Sequence, residues 1–126
     1  MSENKMKCLI IDDEPLVRRS LKRALEHSDF QVFEAQDGEQ GLKMWQDIKP
    51  QVVFLDILMP GLTGPQVLAK IDHDLKKNSR VILISAFTGE YDLQSAKSLG
   101  ADSFIKKPFE DIFAVVNTVK EMLTFS

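Results

Sequence analysis

Along the chain, short solid apolar runs alternate with stretches in which apolar residues recur every three or four positions. Lys7–Ile11, Gln31–Ala35, Val52–Leu55, Val81–Ile84 and Asp102–Ile105 read as strands. Several are apolar throughout, the pattern of strands covered on both faces in a parallel sheet. Val17, Leu21, Ala24 and Leu25 predict a first helix, with Arg18, Arg19, Lys22 and Arg23 mostly turned outward. Leu42, Trp45 and Ile48 predict a second, which Gly41 weakens and Pro50 ends, with Trp45 as a half-buried packing residue. Val67, Leu68, Ile71 and Leu75 form the stripe of a single third helix, whose first turn accommodates Pro65. A fourth, short helix spans roughly Glu90–Leu99 and stops at Gly100. The last carries Phe109, Ile112, Phe113, Val116, Val119 and Leu123. The alternation predicts an α/β fold of (βα)5 type: a doubly wound five-stranded parallel sheet with helices on both sides.

At 126 residues the chain is expected to be one domain, 1–126, with a core of about 6–124. A net charge of −3 provides no global basic field for nucleic acid or an anionic membrane. The longest apolar runs, such as Cys8–Ile11, are too short for a membrane span or a signal-peptide core. A lone cysteine in an apolar run forms no internal disulfide, and the expected setting is the cytoplasm.

In an open parallel sheet, ligands bind beyond the carboxyl ends of the strands, where the strand order reverses. The first predicted strand ends in Asp12, Asp13 and Glu14, the third in Asp56, the fourth in Ser85 and the fifth in Lys107. The second ends in Asp37-Gly38, an ordinary turn and cap. Each feature alone has a local explanation as a cap, a loop or a solvated edge. Together they put carboxylates, a hydroxyl and an ammonium on one edge of one sheet. Clustered carboxylates without His or Cys favour a hard divalent cation such as Mg²⁺, whose open positions take phosphate oxygens. A carboxylate is also an adequate nucleophile toward phosphorus, and Asp56, standing apart from the acidic pair, is the best placed. Lys107 and Ser85 would hold other oxygens of the same phosphoryl group.

The motifs "IIDDEP", "VVFLDILMPGLTG", "ILISA" and "FIKKPF", in this order and at these separations, resemble the receiver domain of two-component response regulators over essentially the full length. The resemblance implies the flavodoxin-like receiver fold with strand order 2-1-3-4-5. It implies Asp56 as phosphoacceptor and a Mg²⁺ site, with Mn²⁺ able to substitute, formed by Asp12, Asp13, Asp56 and the main-chain carbonyl of Leu58. It further implies Lys107 as the essential lysine and Ser85 as the hydroxyl that contacts the phosphoryl group. The Lys107-Pro108 peptide is expected to be cis. Ser85 and Phe104 are then the switch residues, moving when Asp56 is phosphorylated. The expected donor is a histidine kinase or a histidine phosphotransfer protein. The face of the fourth predicted helix, fifth strand and fifth predicted helix would meet an output domain, a protein partner or a second copy. No direct nucleic-acid or membrane contact is expected, and the chain is expected to catalyse only its own phosphorylation and dephosphorylation, without acting as an enzyme on other substrates.

Thr63 stands where the family often has Asp or Asn, and it can still cap the third helix. In the family that the motifs resemble, the positions of Leu58 and Phe87, each two residues past a key polar position, flank the route of the hydrolytic water and are often polar. Here both are large and apolar, so the resemblance implies slow dephosphorylation. His27 and His73 lie on polar surfaces, and Tyr91 begins the fourth predicted helix on the expected output face. A flavodoxin-like cofactor binder would need a phosphate cradle where three acids stand. A haloacid-dehalogenase-type phosphatase would need its two aspartates separated by one residue. A phosphorylation-independent, receiver-like interaction module is the remaining alternative, and it would be expected to lack part of a set that is complete here.

Overall fold

The computed structural model describes residues 5–86 and 92–124. Five strands form one parallel sheet: β1 (Lys7–Ile11), β2 (Gln31–Ala35), β3 (Val52–Asp56), β4 (Arg80–Ser85) and β5 (Ser103–Lys106). The order β2-β1-β3-β4-β5 makes β1 and β3 neighbours at the sheet's switch point. Six helices connect and follow the strands: α1 (Pro15–Glu26), α2 (Gly38–Ile48), α3 (Gly64–Lys70), α4 (His73–Lys77), α5 (Leu93–Ser98) and α6 (Ile112–Thr124). None of them is long and apolar enough to cross a membrane.

Successive strand residues face opposite sides of a sheet, so each solid apolar run feeds two cores. Leu9, Ile11, Val53, Leu55, Val81 and Leu83 pack with α2, α3 and α5 residues such as Trp45, Val67 and Ala96. Cys8, Ile10, Val52, Phe54, Ile82 and Ile84 pack with Leu21 and Leu25 of α1 and Val116 and Val119 of α6. Burying each such Leu, Ile or Phe side chain contributes about 1.5–3 kcal/mol.

The third apolar stripe does not run as one helix. Ile71 leaves α3 in an extended conformation (φ −68°, ψ 143°), and the Asp72 carboxylate then accepts from the Asp74 N–H to start α4. An Asp at this point offers the backbone a local alternative to continuing the helix. Ile71 and Leu75 still reach the same core, so the apolar period survives a break in the backbone. The α5 helix begins at Leu93, where Asp92 caps it in a capping box with Ser95, and the first two residues of the predicted span, Glu90 and Tyr91, lie outside the described residues. Phe109 lies ahead of α6 and packs against the core from the preceding loop. Gly41, which by propensity weakens α2, is required by packing: a Cβ there would come within 2.6 Å of the Ile11 side chain.

Trp45 is fully buried rather than half-buried. Its indole Nε1 donates to Ser79 Oγ at 3.0 Å, and that hydroxyl donates to the Pro50 carbonyl at 2.7 Å. Two distant segments are thereby joined through one polar handle. Trp45→Phe removes the indole donor and leaves a void, so it should lower unfolding stability by about 1–3 kcal/mol in urea titrations. A loss below about 0.5 kcal/mol would contradict this role.

Candidate functional site

Strand register alone brings the polar residues together. Ile11 pairs with Leu55, so Asp12 and Asp56 stand side by side one step further along. Ser85 pairs with Lys106, and the Lys107 N–H donates to the Ser85 carbonyl at 2.8 Å. Lys107-Pro108 is a cis peptide. Asp12, Asp56, Ser85 and Lys107 are all buried, whereas Asp13 is exposed at the rim.

One oxygen from each of Asp12, Asp13 and Asp56 lies within 4.8 Å of the others. Oxygen donors alone, crowded and partly desolvated, fit a hard divalent cation, and these three carboxylates are the groups that could hold it. The Lys107 ammonium sits among the same acids. Its Nζ lies 2.6 Å from Glu14 Oε1, 3.0 Å from Asp12 Oδ2 and 3.5 Å from Asp56 Oδ1.

Burial and then the Asp12 charge push the Asp56 carboxyl up to about 7, with Lys107 opposing the rise and Asp13 adding to it. Asp12 is raised as well, chiefly by burial, against hydrogen bonds donated by the Glu14 N–H and the Lys107 ammonium. Burial works against the charge on Lys107, but its bonds to Glu14 and Asp12 and the charge of Asp56 outweigh it and raise its affinity for the proton. The site therefore carries an excess of negative charge that a single lysine only partly offsets.

The loop after β3 is shaped by close approach. A Cβ on Gly64 would fall 2.6 Å from the Asp56 carbonyl, and the Gly64 N–H donates to the Ile57 carbonyl at 2.9 Å. Thr63 caps α3 in a capping box with Gln66, so the departure from Asp or Asn at this position costs the helix no cap. Leu58 is exposed (56 %) two residues beyond Asp56. Phe104 is partly buried against the core on the α2–α5 side of the sheet. Phe87 and Tyr91 lie outside the described residues.

Sequence reasoning misses the role of Arg18 and the partner of Glu14. Arg18 lies among the helix cations read as facing outward, yet its Nη1 donates to the Asp12 carbonyl at 2.7 Å and its Nε to Glu34 Oε1 at 3.1 Å. An acid within β2 was the available signal. Glu14 reaches Lys107 across the sheet edge, signalled only by being a third acid in "DDE". Beside Lys107, a groove of about 610 Å³ runs between α1 and the start of α6, lined by Leu16, Phe109, Ile112 and Phe113 with Arg19 and Arg23.

Because folded Asp56 holds its proton more tightly than an unfolded aspartate near 3.8, stability is lost as pH rises from about 4 through about 7. In EDTA, Asp56→Asn should therefore be more stable than the parent by about 1–3 kcal/mol at pH 8, the gap closing toward pH 4. Urea melts across this range would show it, and a gap independent of pH would contradict it.

The sequence profile of the response regulator receiver domain matches residues 8–119. Chemotaxis protein CheY of Listeria monocytogenes is 37 % identical over 106 residues, covering 83 % of this chain and 88 % of that protein. Response regulator GtcR of Aneurinibacillus migulanus is 37 % identical over 107 residues, covering 85 % of this chain, which spans only 43 % of GtcR. Among solved structures, response regulator TrrA of Thermotoga maritima, in complex with Mg²⁺-BeF, superposes with a TM-score of 0.79 at 31 % identity, covering 93 % of this chain and 98 % of that one. A CheY-like receiver domain protein of Methanospirillum hungatei superposes with a TM-score of 0.86 at 25 % identity, covering 96 % and 95 %. A profile match over most of the chain, on a sheet with this strand order, leaves one assignment: the chain belongs to the response regulator receiver domain family.

Proposed function

We propose that Asp56 accepts a phosphoryl group from a phosphohistidine donor, and that the resulting aspartyl phosphate switches the protein's partner preference. The observation that carries this reading is the placement of Asp56: buried, 3.5 Å from the Lys107 ammonium, and one of three carboxylates whose oxygens lie within 4.8 Å. An Asp56 carboxylate oxygen attacks phosphorus, the P–N bond of the donor's ring-protonated phosphohistidine breaks with its electron pair staying on nitrogen, and the imidazole leaves neutral. Lys107 offsets charge on the phosphoryl oxygens, and the Ser85 hydroxyl donates to another of them. Asp12, Asp13, Asp56 and the Leu58 carbonyl would hold a divalent cation, Mg²⁺ by its oxygen-only donors and Mn²⁺ as a substitute. When bound, it neutralises phosphoryl charge. The TrrA complex with Mg²⁺-BeF supports the same chemistry on a related chain.

Receiver domains work between histidine kinases and output partners. Here the donor would be a histidine kinase or a histidine phosphotransfer protein. The apolar groove beside Lys107, with Arg19 and Arg23 at its rim, suits the approach of such a donor's helix. On phosphorylation Ser85 moves toward the phosphoryl group and Phe104 turns into the space it leaves, which biases a two-state equilibrium. The α5–β5–α6 face then presents a changed surface to an output domain, a protein partner or a second copy. We place this cycle in the cytoplasm, and the chain acts as a phosphoacceptor that catalyses only its own phosphorylation and dephosphorylation. The acids, serine and lysine are all present, which weighs against a purely phosphorylation-independent interaction module.

Incubation with acetyl phosphate and Mg²⁺ should add one phosphoryl mass to the intact protein. The adduct should be lost in Asp56→Asn and in EDTA. An adduct that persists in either would overturn the reading. Leu58, apolar and exposed two residues past Asp56, neither orients nor donates to a water. Leu58→Asn should accordingly hasten decay of the phosphorylated form several-fold. A parent whose decay is already fast, and is unchanged by that substitution, would exclude this role for Leu58.

A further inference from the structure

The Lys107 ammonium is not centred on Asp56. Its shortest contact is Glu14 Oε1 at 2.6 Å, followed by Asp12 Oδ2 at 3.0 Å, and Asp56 Oδ1 is the most distant of the three at 3.5 Å. Glu14 is the N-cap residue of α1 (φ −93°, ψ 111°), and Pro15 follows it in the first turn. An N-cap side chain ordinarily accepts from the backbone N–H groups at the start of its own helix. The Glu14 side chain makes no such bond and is instead committed to a lysine 93 residues away in sequence. Its main-chain N–H, meanwhile, donates to Asp12 Oδ1 at 2.8 Å, which holds the residue against the site.

Burial separates the two carboxylates that grip the lysine. Asp12 is fully buried and cannot withdraw, whereas the Glu14 side chain is 57 % exposed and can rotate into water without being desolvated. An ammonium has three donors, and a phosphoryl group on Asp56 brings new anionic oxygens that need one of them. Glu14 is the partner that can be given up.

We infer that Glu14 is a positioning residue that holds Lys107 off Asp56 before phosphorylation and releases it when the acyl phosphate forms. Its carboxylate occupies the lysine in the way a phosphoryl oxygen later does, as an internal competitor. This inference rests on Asp56 being the phosphoacceptor. The competitor favours the unphosphorylated arrangement, so its strength sets how readily the phosphorylated one is populated. Gln at position 14 keeps the length and a hydrogen-bond acceptor but loses the charge that makes the bond strong.

The test uses beryllofluoride as phosphoryl analogue at saturating Mg²⁺, with binding to the full chain followed by amide NMR shifts. Glu14→Gln should tighten beryllofluoride binding roughly three- to tenfold, the difference between a charged and a neutral hydrogen bond. In a Lys107→Met background the same change should leave affinity unaltered within about twofold, since nothing remains to compete for. Without metal, the Lys107 ammonium protons should exchange with solvent faster in Glu14→Gln than in the parent. Tightening that persists with Met at 107 would show simple repulsion between Glu14 and the analogue, and overturn the inference. So would no tightening, or unchanged ammonium exchange. A parent that binds no beryllofluoride would instead overturn the reading of Asp56, and this inference with it.

Discussion

The buried ammonium of Lys107 is the interaction on which the sheet edge depends. Asp12, Glu14 and Asp56 all reach it, and Asp13 adds a further negative charge at the rim. Carboxylates crowded in a desolvated pocket rise in pKa, through burial first and mutual repulsion second, and Asp56 is pushed up to about 7. One lysine cannot neutralise them all. The result is a site short of positive charge, held in shape by the fold around it. That shortfall is one that a cation held by Asp12, Asp13 and Asp56 could offset.

Bracing of this charged edge is distributed. Arg18 holds the Asp12 carbonyl from α1 and is itself anchored to Glu34 on β2, which ties the acidic loop to the outer strand. The Lys107 N–H is paired with the Ser85 carbonyl, so the lysine loop is tied to the strand that carries the hydroxyl. Gly64 lets the chain after Asp56 fold back against its carbonyl, where a side chain would collide. Among the described residues no buried side-chain polar atom lacks a hydrogen-bond partner, so the cost of burying so many polar groups here is met locally.

Most of the fold was legible because apolar spacing is a local property. The strands fall within a residue or two of their predicted limits, and the two-sided burial follows from runs such as Val52–Leu55. What escaped was decided by competition between local and distant forces. Ile71 and Leu75 keep a helical period although Asp72 interrupts the helix between them, because both side chains face the same core. Gly41 looked like a weakness by propensity and is a necessity by packing against Ile11. Trp45, amphipathic by nature, is wholly buried because Ser79 and Pro50 complete its polar end.

At the site the division is sharper. By itself the sequence determined which chemical groups stand at the strand ends, because a strand's end and the residue after it are adjacent in the chain: Asp12 after Ile11, Asp56 at the end of "VVFLD", Ser85 and Lys107 after their own apolar runs. It also determined the parallel, doubly wound architecture, through solid apolar runs alternating with amphipathic helices. Only the tertiary structure decided how those groups share their charges. Whether Lys107 leans on Asp56, Asp12 or Glu14, and whether Arg18 faces water or the Asp12 loop, depends on distances between elements far apart in the chain. Coulombic forces and hydrogen bonds fall off over a few ångströms, and only the packed sheet sets separations on that scale.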